Sequence, residues 1–314
     1  MLGMKTNSNS QAKQDVAKRF SDAATKLLER LKDVSYHDLM FDVFYGSGKS
    51  GIEGMSLPIV FGRVSNGEIV VCDLARMPHL LTGGMTGSGK SVLLHCLVSS
   101  LVQNNSPEQV QFVLMDPKDV EFGRYAKLPH LFSPIVHEPE QGVTTLMHVE
   151  SEMDRRLALF CEKGCRNIAD FNNANEGARL PYIIVVVDEL SDFIAGSDGV
   201  FESIASRIAE AGGMAGVHLV MATSRPDAKV VSVGLKAHIP VRLAFMVRRK
   251  EDSQMLLDEC GAEELLGRGE AMLKDCNGSI VRLQVPYIRS AAVARIVESA
   301  VACYEKSQAH AARG

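Results

Sequence analysis

The residues from Gly83 to Ser91 read GGMTGSGKS, and they lie between two apolar runs, PHLL and VLLHCLV. From Gly84 onward the stretch fits the pattern G-x-x-x-x-G-K-[ST] at every fixed position. A loop of this kind binds phosphate, because its glycines let backbone N–H groups converge on an anion. The predicted phosphate loop therefore consists of Gly84, Met85, Thr86, Gly87, Ser88, Gly89, Lys90 and Ser91.

The two last residues of the loop have separate roles in this chemistry. Lys90 is expected to reach the β- and γ-phosphates of ATP, and the hydroxyl of Ser91 is expected to bind Mg²⁺. The context agrees, because the strand-like run PHLLTGG precedes the loop and the helix-like run SVLLHCLVSSLVQ follows it. A helix that begins here directs its free N–H groups and the positive end of its dipole at the phosphates.

A second GSGKS, from Gly46 to Ser50, does not have this context. The first glycine of the pattern would have to stand at Val43. The following residues, SGIEGMSLP, cannot continue as a helix because glycines and a proline interrupt them. We expect Lys49 to be a solvent-exposed lysine with no part in phosphate binding.

The run YIIVVVDEL places Asp188 and Glu189 at the carboxyl end of an apolar strand. In parallel α/β sheets this end carries the ligand site. Asp188 fits the residue that holds the Mg²⁺ shell, and Glu189 fits the base that orients the attacking water. The alternative is that the acidic pair only caps a helix.

The run LMDPKDVEF is a third charged strand end. Its residues Asp116, Lys118 and Asp119 could lie near the nucleotide or near a neighbouring subunit. They could equally form an ordinary exit from a strand into a loop.

The elements that position these residues alternate from Leu57 onward, which predicts a three-layer α/β domain. Several of the strand-like runs are apolar throughout, as central parallel strands are when both faces are buried. The strand-like runs are PIVFG, EIVVCDL, HLLTGG, QFVLMD, YIIVVVDEL, VHLVMATS and VRLAFMV. The expected helices are Ser91–Gln103, Gly142–Lys163, Gly199–Ala211 and a final helix, Ala291–Ala312.

This pattern divides the chain into three parts. Residues 1–56 are expected to form a helical and linker segment, because DVAKRFSDAATKLLERLKDV has helical spacing and YGSGKSGIEGM is turn-like. Residues 57–290 form the expected α/β domain with its mostly parallel sheet. Residues 291–314 form the expected C-terminal helix.

The composition favours a soluble cytoplasmic protein. The chain has 314 residues, of which 46% are hydrophobic and 23% charged, and no apolar run is long enough to span a membrane. Its seven cysteines, an odd number without CxxC pairs, are best interpreted as reduced thiols. The net charge of −4 argues against binding nucleic acid by bulk charge, although a few basic loops could still contact DNA.

A series of segments in this order resembles the motor domain of the FtsK/SpoIIIE DNA translocases. The segments are DLARMPHLLTGGMTGSGKS, FVLMDPKDVEF, MDRRL, GCRNIADFN, LPYIIVVVDELSD, AGVHLVMATSRP, LKAHIPVRLAF and GAEELLGRGEAML. The resemblance covers Leu57 to Pro286. It implies a RecA-like P-loop NTPase that forms a homo-hexameric ring around double-stranded DNA. Such a motor hydrolyses ATP to ADP and phosphate and moves loops in its pore along the duplex.

The resemblance also assigns candidate DNA contacts by position. After ATSRP these are Arg225 and, further on, Lys236, and after VRLAFMV they are Arg248, Arg249 and Lys250. Contacts of this kind go to phosphates, which suits a motor that must move on any sequence. The alternative for each of these residues is a solvated surface charge.

The sequence departs from the family pattern at three points. Ser224 stands where the family has a glutamine near the γ-phosphate, and Gly213 stands where it has an arginine that reaches the neighbouring subunit's nucleotide. Arg207, on the same predicted helix, is the nearest candidate for that role in trans. We also expect neither the family's membrane anchor nor its C-terminal winged-helix module in this chain.

Three functions fit these observations. The first is a soluble, ATP-driven translocase of double-stranded DNA. The second is a secretion or conjugation ATPase of the same fold that acts on a protein or a protein–DNA complex. The third is an ATP-binding assembly switch with slow turnover. Basic residues near both presumed pore loops favour the first, and the biological setting stays open between segregation, plasmid or phage transfer, and defence.

Overall fold

The computed structural model describes residues 54–228 and 230–311. The second GSGKS with Lys49, and the helix expected in residues 1–56, lie outside the described residues. The strands are β1 (Pro58–Val64), β2 (Ile69–Asp73), β3 (His79–Gly83), β4 (Val110–Met115), β5 (Tyr182–Val187), β6 (Val217–Thr223), β7 (Val241–Phe245), β8 (Glu270–Lys274) and β9 (Ile280–Gln284). The α-helices are α1 (Lys90–Asn104), α2 (Pro139–Lys163), α3 (Ile168–Ala174), α4 (Leu190–Ala195), α5 (Val200–Ala215), α6 (Val233–Ala237), α7 (Lys250–Leu257) and α8 (Ser290–Ala311).

The strands form one sheet in the order β2-β1-β9-β8-β7-β3-β6-β5-β4. The part from β7 to β4 is parallel, and every strand of it was expected from the sequence. The remaining strands pair antiparallel and extend the sheet beyond β7. The expected α/β class is therefore confirmed, with a parallel half that carries the phosphate loop and an antiparallel half that includes the unexpected strands β8 and β9.

Helices cover both faces of the sheet and so form the three expected layers. Leu80 and Leu81 are adjacent in β3, and they pack into opposite layers because successive strand side chains point to opposite faces. One layer contains α1 and α8, and the other contains α2, α4, α5, α6 and α7. Residues Ile183 to Val187 of β5 are all buried, and each such aliphatic side chain contributes roughly 1.5–3 kcal/mol to folding.

Helix α5 is longer than expected, since it continues beyond Ala211 to Ala215. Two glycines, Gly212 and Gly213, lie in the part of the helix that was not expected. In the structure both glycines allow close packing. A Cβ at Gly212 would lie 2.8 Å from the carbonyl oxygen of Val217, and one at Gly213 would lie 2.9 Å from Cβ of Pro78.

Helix α8 packs on α1 and places Val293, Ile296 and Val297 in the same apolar core as the sheet. This arrangement is compatible with the expected C-terminal helix, and the boundaries of the domains stay a prediction. Within residues 54–228 and 230–311, no helix has both the length and the apolar character needed to cross a membrane.

Candidate functional site

Three neighbouring strands bring the candidate site together. Gly83 at the end of β3 is in register with Thr223 at the end of β6, and Met221 of β6 is in register with Val187 of β5. The phosphate loop follows β3, and Asp188 follows β5. The carboxyl ends of the parallel strands thus meet at one edge, as expected for a ligand site in an α/β sheet.

The phosphate loop needs glycine at its two closest approaches to the rest of the fold. Gly84 and Gly89 have φ angles of 154° and 129°, which disfavour residues with a side chain. A Cβ at Gly84 would lie 2.7 Å from Cβ of Phe245, and a Cβ at Gly89 would lie 2.9 Å from Cε1 of the same ring. Phe245, at the end of β7, therefore presses against the loop and fixes its curvature.

Lys90 is buried at the start of α1, and its ammonium group points back into the loop. Nζ donates hydrogen bonds to the carbonyl oxygens of Gly84, at 2.7 Å, and Met85, at 3.0 Å. Burial lowers the pKa of Lys90, while the charges of Glu189 and Asp188 act in the opposite direction. The charge thus lies inside the curve of the loop, where it can attract a phosphate group.

Asp188 lies half-buried directly after β5. Burial, followed by the negative charges of Glu121, Asp116 and Glu189, raises the pKa of Asp188 to about 6, although Lys90 opposes the shift. Mutual repulsion of this kind is relieved when a cation binds between the carboxylates.

Glu189 is held in place by donors from two directions. Its Oε1 accepts hydrogen bonds from the Ser191 hydroxyl at 2.7 Å and from the backbone N–H of Ser224 at 3.0 Å. Burial on its own would raise the pKa of Glu189, but the hydrogen bonds of Ser224 and Ser191 and the charge of Lys90 lower it overall. The φ angle of 59° is unusual for a residue with a side chain, and such backbone conformations concentrate at functional sites.

The structure brings Ser224 to this carboxylate, and its expected position near the γ-phosphate stays a prediction. Both its backbone N–H and its side chain help to lower the pKa of Glu189. Its role in catalysis remains a prediction.

Asp116 and Lys118, from the third charged strand end, also lie near the site. Asp116 is buried, and its carboxylate accepts hydrogen bonds from the backbone N–H groups of Lys118 and Glu121. Lys118 is exposed and close enough to lower the pKa of Lys90. The run LMDPKDVEF therefore lies near the phosphate loop, and a contact of its residues with the nucleotide or a neighbouring subunit stays a prediction.

Sequence reasoning did not single out Glu121 and His95, which the fold brings to the loop. His95 Nε2 lies 3.0 Å from Glu121 Oε2, and the hydroxyl of Ser91 also lies beside this carboxylate and helps to lower its pKa. The spacing of Ser91 and His95 is a signal that was present in the sequence, because residues four apart share a helix face.

Two backbone segments also brace the phosphate loop and were not anticipated. The N–H of Met85 donates to the carbonyl of Met246, and the N–H of Gly269 donates to the carbonyl of Ser88. The loop before β8, in the segment LLGRGEAML, therefore supports the phosphate loop directly.

Arg207 lies on α5, and its guanidinium is engaged within its own chain. Its Nη1 lies 3.1 Å from Glu150 and its Nη2 lies 2.8 Å from Asp154, both on α2. A role in trans would require both ion pairs to break, so this geometry disfavours Arg207 as the arginine of the neighbouring subunit. Gly213 faces Pro78 too closely for a larger residue to fit without a shift.

The candidate DNA contacts divide into two groups. Arg225 follows β6, and Arg248 and Arg249 follow β7. Lys250 is the first residue of α7 and not a loop residue as expected, and all four side chains are exposed. Since β6 and β7 flank β3, both basic segments emerge beside the phosphate loop.

Lys236 differs from these residues. It lies in α6 and not in a loop, and only 15% of its side chain is exposed. Its ammonium lies 2.6 Å from Asp258, a carboxylate that Arg242 and Lys274 also contact. This placement corrects the expectation of a loop residue and disfavours a DNA contact by Lys236.

The residues of the site fit Mg²⁺ as a ligand. The hydroxyl of Ser91 and the carboxylate of Asp188 are oxygen donors of the kind that Mg²⁺ prefers. They lie among acidic groups whose charge already raises the pKa of Asp188. With ATP bound, Ser91 and Asp188 would hold such an ion, and the ion would supply positive charge that neutralises the charge developing on the phosphates.

Comparison with models of protein families shows to which family the chain belongs. The family model described as FtsK/SpoIIIE family matches residues 45–228, which is more than half of the sequence. The chain belongs to the FtsK/SpoIIIE family. The resemblance stated from the sequence motifs is therefore confirmed.

Curated members of the family match the chain over most of its length. The DNA translocase FtsK of Lactiplantibacillus plantarum is 40% identical over 251 residues, which cover 77% of this chain and 32% of that protein. The DNA translocase SpoIIIE of Bacillus subtilis is 39% identical over 255 residues, which cover 78% of this chain and 32% of that protein. The chain thus spans about a third of the length of these FtsK/SpoIIIE relatives.

Solved structures with the same fold include two ATPase-like proteins of other systems. The pCW3 conjugation coupling protein TcpA, in its monomer form with ATPγS, is 28% identical with a TM-score of 0.70, over 79% of this chain and 71% of that chain. The cytoplasmic domain of the type VII secretion ATPase EccC of Thermomonospora curvata is 27% identical with a TM-score of 0.68, over 78% of this chain and 31% of that chain. The fold of this FtsK/SpoIIIE member is thus the RecA-like P-loop fold expected from the sequence.

Proposed function

We propose that the chain is an ATPase that moves double-stranded DNA, and that it works as a homo-hexameric ring in the cytoplasm. One observation carries the proposal. The phosphate loop, Asp188 and Glu189 meet at one sheet edge, and exposed basic segments emerge on both sides of that loop. The site of ATP hydrolysis and the proposed contacts with DNA phosphates are therefore close enough for one to affect the other. Kinship with curated DNA translocases at about 40% identity supports DNA as the substrate.

The hydrolytic step follows from the positions of four side chains. Lys90 neutralises charge on the β- and γ-phosphates, and Ser91 and Asp188 hold the Mg²⁺ that completes this neutralisation. Glu189 accepts a proton from the attacking water or orients it. The hydrogen bonds that lower its pKa keep this carboxylate ionised, so that it can accept, and they hold one of its oxygens fixed.

The mechanical step runs through the end of β6. The backbone N–H of Ser224 contacts the carboxylate of Glu189, and the next residue, Arg225, is exposed. A change in charge or position at Glu189 when ATP is cleaved would alter this hydrogen bond and shift the segment that carries Arg225. Together with Arg248, Arg249 and Lys250, this segment would grip phosphates of the duplex without reading its sequence.

A direct experiment is the displacement of a third strand from duplex DNA. A triplex-forming oligonucleotide is bound at the end of a long duplex, and its release is followed after the protein and ATP are added. We expect release that depends on ATP hydrolysis and on the length of the duplex that flanks the triplex. Hydrolysis of ATP without any release would refute translocation of DNA.

A secretion or conjugation ATPase is the second candidate. It is favoured by the likeness to TcpA and EccC, whose names refer to conjugation and to type VII secretion. In that case the basic segments would not be needed for stimulation of hydrolysis. An assembly switch is the third candidate, and a turnover number far below 1 per minute under every condition would favour it.

A further inference from the structure

A polar stripe on helix α1 leads away from the phosphate loop. Ser91 and His95 are one turn apart on this helix, so their side chains share a face. That face meets the segment after β4, which contributes Glu121 and Tyr125. His95 is mostly buried there, and Tyr125 is fully buried.

The hydrogen bonds of this stripe form a chain with a defined direction. His95 Nε2 lies 3.0 Å from Glu121 Oε2, and His95 Nδ1 lies 3.0 Å from the hydroxyl of Tyr125. An ionised carboxylate only accepts, so Nε2 donates to Glu121, and in the neutral ring Nδ1 accepts from the hydroxyl of Tyr125. The tyrosine thereby fixes the tautomer of the histidine, and the histidine fixes the carboxylate.

The carboxylate of Glu121 is a charged group at the edge of the nucleotide site. The hydrogen bond from His95 is the largest cause that lowers its pKa, and the hydroxyl of Ser91 lowers it as well. After burial, the charge of Glu121 is the largest cause that raises the pKa of Asp188. Glu121 is thus close enough to Ser91 and to Asp188, the two groups that would hold Mg²⁺, to interact with both.

We propose that Glu121 is a positioning residue for Mg²⁺, which accepts the hydroxyl proton of Ser91 in a hydrogen bond and so turns the lone pairs of that oxygen toward the metal. The inference rests on the proposed function, since it requires that the loop bind a nucleotide together with Mg²⁺. Residues that bind a metal ion are commonly oriented by hydrogen bonds from neighbouring groups. Loss of such a neighbouring group lowers the affinity for the metal about 10- to 100-fold. His95 holds Glu121 in place through a hydrogen bond, and Tyr125 holds His95 in the same way.

The backbone of the loop at Glu121 is held by Asp116 and not by the Glu121 side chain. Asp116 Oδ2 accepts from the backbone N–H groups of Glu121 and Phe122, so the turn is held by Asp116 whatever side chain stands at position 121. Phe122 is fully buried and anchors the segment in the core. Glu121→Gln is therefore expected to keep the backbone in place while it removes the charge and one acceptor.

The test measures binding of a fluorescent ADP analogue, first in EDTA and then during titration with Mg²⁺. For Glu121→Gln we expect unchanged affinity in EDTA and a Mg²⁺ midpoint about 10- to 100-fold higher than in the parent protein. Tyr125→Phe removes only the outermost hydroxyl and should shift the midpoint in the same direction by a smaller factor. Asp119→Asn is the matched control, because it removes one acidic charge from the same loop, and its midpoint should not move.

The possible results separate this inference from the proposed function. An unchanged Mg²⁺ midpoint for Glu121→Gln, or an equal shift for Asp119→Asn, overturns the role of Glu121. If the parent protein binds no ADP analogue with or without Mg²⁺, the proposed function itself is refuted. If Glu121→Gln lowers the unfolding temperature strongly, Tyr125→Phe decides the matter, and the absence of any shift in that variant also overturns the inference.

Discussion

The backbone N–H of Ser224 donates a hydrogen bond to the carboxylate of Glu189, with 3.0 Å between N and Oε1. This contact joins the carboxyl end of β6 to the residue that follows Asp188 after β5. The hydroxyl of Thr223 in turn accepts from the N–H of Arg225 at 3.0 Å. The same hydroxyl donates to Glu189 Oε1 at 3.4 Å, so the candidate general base and Arg225, a candidate DNA contact, are two hydrogen bonds apart.

Two single variants should distinguish ATP binding from ATP hydrolysis. Lys90→Ala should abolish binding of ATP, because the loop loses the charge that lies inside its curve. Glu189→Gln should bind ATP with the parent's affinity and hydrolyse it at least about 100-fold more slowly, since the general base is lost. Equilibrium binding of labelled ATP and phosphate release measure the two effects.

The second GSGKS provides the control for this experiment. Lys49→Ala changes the lysine of a similar pentapeptide that lacks the leading glycine, and its affinity for ATP should equal that of the parent. A clear loss of ATP binding in Lys49→Ala would contradict our choice of the phosphate loop. Parental hydrolysis by Glu189→Gln would contradict the role of Glu189.

Removal of the Ser191 hydroxyl should slow hydrolysis without weakening ATP binding. This hydroxyl lies 2.7 Å from Glu189 Oε1 and is one of the donors that fix the carboxylate. A hydrogen bond to a charged group is worth about 1.5–3 kcal/mol, and the contact from Ser224 remains. We therefore expect Ser191→Ala to lower kcat about tenfold with an unchanged KM for ATP.

Ser197→Ala is the matched change for Ser191→Ala, because the Ser197 hydroxyl bonds only to the carbonyl of Ile194 nearby. Its kcat should equal the parent's. Equal kcat values for the two serine variants would show that Ser191 does not position the base.

Arg207→Ala should have little effect on turnover. The residue is 57% exposed and pairs with Glu150 and Asp154 of its own chain, and surface pairs of this kind contribute about 0–1 kcal/mol to stability. An arginine that acts in trans contributes a factor of about 10³ or more to phosphoryl transfer. A kcat within about threefold of the parent's is expected.

A loss of kcat by orders of magnitude in Arg207→Ala would instead identify the arginine finger. It would be confirmed if mixtures of Arg207→Ala subunits and Glu189→Gln subunits recover activity. Such recovery requires an intact arginine and an intact glutamate to meet at one interface.

Two buried histidines should make the fold less stable in mild acid. Burial lowers the pKa of His79 to about 3 and that of His218 to about 4. Near pH 6.5 these histidines take up protons in the unfolded chain but not in the folded chain. The free energy of unfolding therefore has its full value above pH 6.5 and falls as the pH decreases toward 4. In that window, each histidine should lower the free energy of unfolding by about 1.4 kcal/mol per pH unit.

Urea unfolding at pH 7.5, 6.5 and 5.5 measures this effect. His218→Phe should have a lower free energy of unfolding at pH 7.5, because the bond to Pro78 O is lost, but a smaller decrease between pH 7.5 and 5.5. Comparison with the parent removes the contributions of other groups such as Asp188. His148→Gln, at an exposed position, should keep the parental decrease, and identical decreases in the parent and His218→Phe would contradict the assignment.

The parallel half of the fold could be predicted because its strands are apolar throughout and end in recognisable turns. Strands β8 and β9 were missed, although Ala271 and Leu273 alternate with less buried residues and Asn277-Gly278 is a strong hairpin signal. Their short length and polar residues gave a weaker pattern than that of β5.

The core of the site was predictable for a similar reason. The spacing from Gly84 to Ser91 and the acidic end of β5 are set by local chemistry, so they show in the sequence. The contacts of Glu121, Lys236 and Arg207 depend on which elements pack together. Lys236 is basic and follows a candidate pore segment, but only the fold shows that Asp258 binds it.

The central claim is that duplex DNA, gripped by basic segments beside the phosphate loop, drives the ATPase. The decisive measurement is steady-state ATP hydrolysis with and without long duplex DNA over a range of salt concentrations. It should be made on the parent protein, on a variant with alanine at Arg248, Arg249 and Lys250, and on a control variant. The control replaces Arg155, Lys163 and Arg166, which are exposed on and after α2, with alanine.

We predict strong stimulation by DNA that weakens steeply as salt rises, because phosphate contacts release counterions. The triple change after β7 should remove most of this stimulation and reduce the salt dependence, while basal hydrolysis stays within about twofold of the parent's. The control variant should be stimulated as the parent is. Hydrolysis that does not respond to duplex DNA in the parent, or equal stimulation of all three proteins, would contradict the account.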